Sequence, residues 1–370
     1  MRHRVGQLAR IGSVAAIAAA FASACAERSP YRIGVVLGSE GLLGARLAVE
    51  SVNAAGGVDG HLLQLRDLGG ASSGSAQVAL AVAESLATDS GVLAVVGHAN
   101  SSASLAASQV YNARHIVQIA PTTTTPLYSQ AGPYSFRLVS SDEFQARYLA
   151  DIVAAAKPAR ITVAYVNDDY GRALQRLVHA ELERRGVKDV REVPYVEEGS
   201  GDPLELARVI TLEKPTVLLW LGRATFFAQI ARPLRAALPA LDIVASDGFG
   251  GARVQGDSGR IYGGIRHVRL VNLERADTAL QAVQSRYRIR ASSELTDDAA
   301  LAYDAVMLLA QAIREGGADR DAIRTWMSKL GSDHAAANGI TGPIAFSASG
   351  DRAPLYVLDT VRPGAARAPR

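Results

Sequence analysis

Alternating apolar and polar segments organise the chain into repeated strand–helix units. Tyr31–Leu37 is a mostly apolar run that reads as a buried strand, and Leu43–Ala54 has the spacing of a helix ended by Gly56 and Gly57. Leu62–Leu68 and Ser75–Ala87 repeat the pair. Val92–Val96 is a short continuous run rich in β-branched residues, as a parallel strand covered on both faces requires. A helix over Ser102–Tyr111 and a strand over Ile116–Ala120 follow. The alternation then restarts: helix Glu143–Ala156 before Pro158, strand Ile161–Val166, helix Tyr170–Arg185 closed by Gly186. Val190–Val196, Leu204–Thr211, Thr216–Leu221, Thr225–Leu238 and Ile243–Ala245 continue as strand, helix, strand, helix, strand. Repeated βα units imply doubly wound parallel sheets, so the fold class is α/β with two sheets in one chain.

From Asp277 to Leu330 the pattern is mostly helical, with Thr296 or Asp297 as the cap of an Ala299–Arg314 helix. Two late strands are expected at Pro343–Ser347 and Leu355–Thr360, ahead of a Pro/Ala/Arg tail, 362–370, whose composition favours disorder.

The N-terminus changes the picture. Arg2, His3, Arg4 and Arg10 precede an apolar run, Ile11–Ala22. That run is too short for a bilayer core of about 30 Å. A basic start, a short apolar stretch and small residues form the pattern of a secretory signal peptide. It ends Ala22-Ser23-Ala24-Cys25, and Cys25 is the single cysteine. The ending resembles a bacterial lipobox, which would make Cys25 an acylated first residue. Ala22 stands where Leu, Val or Ile is usual, so ordinary signal-peptidase cleavage stays open. The whole chain has 39 basic and 36 acidic residues, and the three leader arginines account for the excess. The mature chain is therefore near neutral, which gives no electrostatic reason for nucleic acid or an anionic membrane surface as partner. With one cysteine there is no internal disulfide, so the fold rests on its core.

Catalytic signatures are scarce. The sequence has no G-x-S-x-G elbow, H-E-x-x-H, phosphate-binding loop or cysteine/histidine metal spacing, so neither an enzyme nor a metal site is expected. Gly38, Gly41 and Gly44 follow the first strand and Asp67 ends the second, but the glycine spacing is wrong for a dinucleotide. No cofactor is expected. Instead, loops at strand C-termini are rich in small and hydroxyl residues: Gly97-His98-Ala99-Asn100-Ser101-Ser102 and Pro121-Thr122-Thr123-Thr124-Thr125-Pro126. Ligands of open α/β sheets sit beyond those ends, where helix N-termini present free N–H groups. Capping by Ser101 and turn formation by the threonines are the structural alternatives.

Longer stretches carry a family resemblance. Val52–Gly60, Val95–Ser102, Pro121–Leu127, Tyr134–Arg137 with Ser141, Asp142 and Gln145, Asn167–Arg172, Asp247-Gly248, Ala302–Val306, and Gly339–Phe346 with Gly350-Asp351 occur in order. From about Tyr31 to Val361 the chain resembles the Leu/Ile/Val-type (branched-chain amino-acid) periplasmic binding proteins, type I solute receptors of ABC importers. The resemblance implies two lobes joined by three hinge crossovers, with lobe one at 31–140 and 270–342 and lobe two at 141–269 and 343–361. It implies a ligand carboxylate on Ser101, contacts from Thr122, Thr123 and Thr124, a reach from lobe two by Tyr170, and an α-ammonium on Asp247. Ser39, Asn100, Ser102 and Arg223 join these as expected ligand-binding residues.

The stretch after the first strand is shorter than in many members, so Ser39 and Glu40 would remake that wall. Asn100 occupies a place where some members have a disulfide cysteine. Trp220, Arg223 and Asp298 are pocket-side candidates that do not describe an aliphatic pocket, and Asp298 equally fits a first-turn helix residue. The expected function is capture of an amino acid or similar small polar ligand by a monomer, and delivery to an ABC permease. The expected location is the periplasm or cell surface, with membrane contact only through a lipid on Cys25. The alternatives are a sensor or protein-binding regulator of the same fold and, more remotely, an exported oxidoreductase.

Overall fold

The computed structural model describes residues 28–69, 75–197, 201–250 and 259–361. The expected leader, its Cys25 and the 362–370 tail lie outside the described residues.

Two sheets organise two separate cores. The first comprises β1 (Tyr31–Val36), β2 (Leu63–Asp67), β3 (Val92–Gly97), β4 (Val117–Ala120) and β5 (Ser135–Arg137), in the order β2-β1-β3-β4-β5 and all parallel. Its helices are α1 (Ser39–Ala54), α2 (Ala76–Thr88) and α3 (Ser101–Ala113). The second sheet runs β13-β10-β9-β8-β6-β7, from β6 (Ile161–Val166), β7 (Val190–Tyr195), β8 (Val217–Leu221), β9 (Asp242–Ala245), β10 (Arg266–Arg269) and β13 (Val357–Thr360). Only β13, on the edge, is antiparallel to its neighbour. Helices α4 (Asp142–Ala155), α5 (Asp169–Arg184), α6 (Pro203–Glu213) and α7 (Ala224–Ala237) complete this lobe.

After β10 the chain returns to the first lobe. Helices α8 (Thr278–Ala291), α9 (Asp297–Gly316) and α10 (Arg320–Ser328) follow, with the β11–β12 hairpin (Ala337–Gly339, Gly342–Ile344). Helix α9 is apolar nearly all round and buries Leu301, Val306, Leu309 and Ile313 against α1 and the first sheet. The first core thus contains Val139 and Leu270, whereas Ala146 and Val268 belong to the second, and Tyr356 touches both. The chain crosses between lobes three times.

Several elements depart from the expectations. Helix α1 starts at Ser39, not Leu43, despite Gly41 and Gly44. A Cβ on Gly44 would stand 2.0 Å from the carbonyl oxygen of Ala299, so this glycine lets α1 approach α9. The strand expected at Pro343–Ser347 is only Gly342–Ile344, and Ile344 packs in the first core rather than opening the second lobe's last segment. Strands β5 and β10 were not expected. The sequence of β10, Arg-His-Val-Arg, is polar, yet His267 and Arg269 are buried because Asp297 and Asp359 face them.

The family-like stretches that look unconnected along the chain meet in space. Arg137, 0 % exposed, pairs with Asp351 at 2.6 Å and donates to the Thr125 carbonyl and Ser129 Oγ. Asp304 accepts the N–H groups of Ile340 and Thr341 at 2.8 and 2.9 Å. These buried ionic groups are matched by donors and acceptors, as burial of charge demands. Among the described residues no helix is long and apolar enough to cross a membrane.

Candidate functional site

The order of each sheet dictates where a cleft forms. In the first sheet the winding reverses between β1 and β3, and in the second between β6 and β8. At such a switch point adjacent strands send their connections to opposite faces and leave a crevice at their carboxyl ends. A cavity of about 430 Å³ lies between the lobes and is lined from both crevices. Gly38–Glu40 follow β1 and Ala99–Ser101 follow β3, while Tyr170 follows β6 and Arg223–Thr225 follow β8. Thr122 after β4 and Asp247 after β9 add to the same wall system. Helices α1, α3, α5, α7 and α9 all begin here, so their orphan N–H groups and positive dipole ends converge on one space.

On the first-lobe side, Asn100 rather than Ser101 caps α3, its Oδ1 accepting from Ala103 N at 2.9 Å. Ser101 is therefore released from capping. It is 3 % exposed, lines the cavity and has no side-chain hydrogen bond among the described residues. Thr122 lines the cavity beside it, but Ser102, Thr123 and Thr124 do not. Thr123 is buried and donates to Ser104 Oγ at 2.7 Å, and Thr124 gives its carbonyl to Asp142 N at 2.8 Å. These threonines hold the loop rather than face the cleft. His98 is buried against Tyr111, and desolvation lowers its imidazole to about 4, which keeps it neutral.

The second-lobe side is wired differently. Tyr170 donates to Asp247 Oδ1 at 2.6 Å and lies 2.8 Å from Ser246 Oγ. Asp247 N–H donates to Gln145 Oε1 at 2.9 Å, and Gln145 Nε2 donates to Asp142 Oδ1 at 3.1 Å. Asp142 is wholly buried, and desolvation first, then repulsion from Asp247, pushes its carboxyl well up. Desolvation also raises Asp247, against the hydrogen bonds from Tyr170 and Gln145. Arg223 lines the cavity, but its guanidinium is held by Asp168 at 2.8 Å and Glu197 at 2.7 Å. Burial works against its charge, yet those two carboxylates outweigh it and raise its basicity.

Trp220 does not line the cavity: it is 0 % exposed and stacks on Tyr195 with ring centroids 4.5 Å apart. The expectation of a pocket residue fails because Trp220 points into the second core, as successive residues of a strand must alternate between faces.

Asp297 and Asp298 sit in the first turn of α9, with Thr296 as the cap. Asp297 takes Arg269 at 2.6 Å on one oxygen and Leu270 N–H at 2.8 Å on the other. Asp298 lines the cavity as well, so its helix-turn and pocket placements hold together. Its side chain is exposed to the cleft; the protein mass around it first, then the carboxylates Glu40, Asp297 and Asp247, push its carboxyl up from the ordinary value. Sequence reasoning missed Asp297, Leu270, Ala224 and Thr225 as wall residues. The only signal for them was their position just after a strand or at a helix start.

Fold and cleft are those of a two-lobed α/β protein with a cavity between its lobes. Residues 29–356 match the family described as periplasmic binding protein, and the chain belongs to that family. It is a solute-binding, non-enzymatic family. The chain is 36 % identical over 149 residues to an amino acid binding protein of Pseudomonas aeruginosa, a match that spans 40 % of this chain and 39 % of that relative. A leucine-specific-binding protein of Salmonella typhimurium is 26 % identical over 318 residues, covering 83 % of this chain and 82 % of the relative. Among solved structures, the branched-chain amino acid binding protein of Streptococcus pneumoniae, in complex with isoleucine, superposes with a TM-score of 0.80 at 24 % identity. That superposition covers 92 % of this chain and 98 % of the other. A Rhodopseudomonas palustris solute binding protein in complex with 3,4-dihydroxybenzoic acid reaches 0.78 at 14 % identity, over 90 % of this chain and 93 % of that one.

Proposed function

We propose that the protein captures a free amino acid in the interlobe cavity. The observation that carries the reading is the opposition of chemistry across it: an unpartnered, buried hydroxyl at a helix N-terminus on one wall, and a carboxylate on the other. The α-carboxylate docks on Ser101, Thr122 and the first-turn N–H groups of α3, where the helix dipole favours an anion. The α-ammonium docks on Asp247, which Tyr170 and Gln145 hold in place. Each charge-assisted hydrogen bond contributes about 1.5–3 kcal/mol. Ligand bound to the first lobe draws in the second by rotation about the three crossovers, and the closed form presents a new surface to an ABC permease. The protein acts outside the cytoplasm as a monomer, tethered by a lipid on Cys25.

A thermal-shift screen of the purified protein against amino acids, their amides and small carboxylates tests this, because binding to the folded state raises Tm by mass action. The expected result is a stabilising amino acid whose effect disappears in Ser101→Ala and Asp247→Ala. Stabilisation by carboxylates without an amine, unaffected by Asp247→Ala, would overturn the reading.

A further inference from the structure

The cavity wall interleaves apolar and polar groups. Among the described residues Leu270, Ala99, Ala224 and Tyr170 contribute apolar surface, set between charged and hydroxyl side chains with no continuous aliphatic patch. Burying a Leu- or Val-sized side chain stabilises a complex by about 1.5–3 kcal/mol only when apolar walls replace water on all sides. Charge is the feature that remains. Arg223, the cation among the described lining residues, is already neutralised by Asp168 and Glu197. Asp297 has one oxygen on Arg269 and the other on a backbone N–H. Asp247 faces the α-ammonium in the binding mode above. Asp298 is left: it lines the cavity with no hydrogen bond or ion pair to the protein among the described residues, and Glu40 lines the wall beside it.

We infer that the ligand bears a second cation, a side-chain amine or guanidinium, and that Asp298 at the start of α9 receives it. The inference rests on the amino-acid reading and sharpens it, from any amino acid to a basic one. Ser101 fixes the orientation independently: its hydroxyl, nearly enclosed and without a protein partner, marks the carboxylate end. The helix dipole of α9 accounts for one first-turn carboxylate, and Asp297 already fills that role with Arg269. A second one there has no partner in the protein. Asp298 opens to the solvent of the cleft, and Glu40, Asp297 and Asp247 stand around it as carboxylates, a repulsion that a cation placed among them removes.

Isothermal titration of the purified protein at pH 8 with L-lysine, L-arginine, L-leucine and L-isoleucine decides the matter. The expected outcome is binding of lysine or arginine at least tenfold tighter than either aliphatic amino acid. In Asp298→Asn the basic ligand weakens by about 10- to 150-fold, the equivalent of one charge-assisted hydrogen bond, while any weak leucine binding stays unchanged. Leucine or isoleucine binding as tightly as lysine overturns the inference and leaves the amino-acid reading intact. Binding by none of the four, with the protein shown folded by circular dichroism, overturns the inference, and the thermal-shift screen over the remaining amino acids then decides the amino-acid reading. The wild-type ligand comparison stands even if the variant does not fold.

Discussion

The Ser101 seat on the first-lobe wall leaves its hydroxyl open, whereas the second-lobe wall around Asp247 ties its polar groups together. Ser101 sits at the first position of α3 with its hydroxyl unengaged, because Asn100 does the capping. Across the cleft, Asp247 belongs to a chain running from Tyr170 through Gln145 to the buried Asp142, and Arg223 is clasped by two carboxylates. The difference has a physical basis. Helix N–H groups are fixed by the helix itself and need no support, but a carboxylate and a guanidinium at the edge of a core need partners to hold charge there. One wall is a rigid seat, and the other is a set of coupled groups in which a single change propagates.

That contrast can be broken at four points. The largest effect is expected from Asp247→Ala, which removes the partner of a buried cation and should cost about 2–5 kcal/mol of binding in calorimetry. If affinity falls by less than tenfold, the ammonium is held elsewhere. Tyr170→Phe leaves Asp247 in place without its hydroxyl donor, and a loss of about 1.5–3 kcal/mol is expected. An unchanged Kd in that variant would show that the second wall does not act as a coupled set. Ser101→Ala removes one hydroxyl-to-carboxylate hydrogen bond while the N–H groups of α3 stay, so the expected loss lies at the low end of the charge-assisted range, about 1.5 kcal/mol, with no change in the Tm of the ligand-free protein.

The smallest effect concerns pH. Asp298 is raised above its ordinary 3.8, but it is open to the cleft and solvent screens the effect, so its small contribution to stability is full below that value and is lost as pH rises through the raised one. Glu40 from α1, Asp297 beside it, Asp247 from lobe two and Tyr287 from α8 are the titratable groups that interact with it. Ligand-free Asp298→Asn should therefore melt increasingly above wild type as pH goes from 5.5 to 8. A Tm difference that stays flat over that range would contradict the crowding of carboxylates at this end of the cavity.

Much of the scaffold was legible from the chain, and the reason differs element by element. Val92–Gly97 and Ile161–Val166 are continuous apolar runs because both faces of a parallel strand are covered, so their burial is written locally. Strand β10 was not legible, since Arg269 and His267 enter it only by virtue of Asp297 and Asp359 from elsewhere in the chain. The start of α1 was missed for a similar reason. The apolar spacing began the helix at Leu43, and what makes Gly44 suitable within it is a backbone that arrives from α9, more than two hundred residues on.

The candidate site divides the same way. Hydroxyl-rich loops after strand ends were local signals, and it was the family resemblance that singled out Ser101, Thr122 to Thr124 and Asp247. Which threonine faces the cleft was decided by packing: Thr123 turns to Ser104 and Thr122 to the cavity. Only tertiary structure turned Trp220 into the core and occupied Arg223 with Glu197 and Asp168. By itself the sequence determined the alternation of strands and helices and the residue types at their ends, because periodicity and capping are short-range physics. The two switch points, the carboxylates gathered between them and the partners that neutralise some of those charges came from the fold, because each depends on residues far apart in the chain.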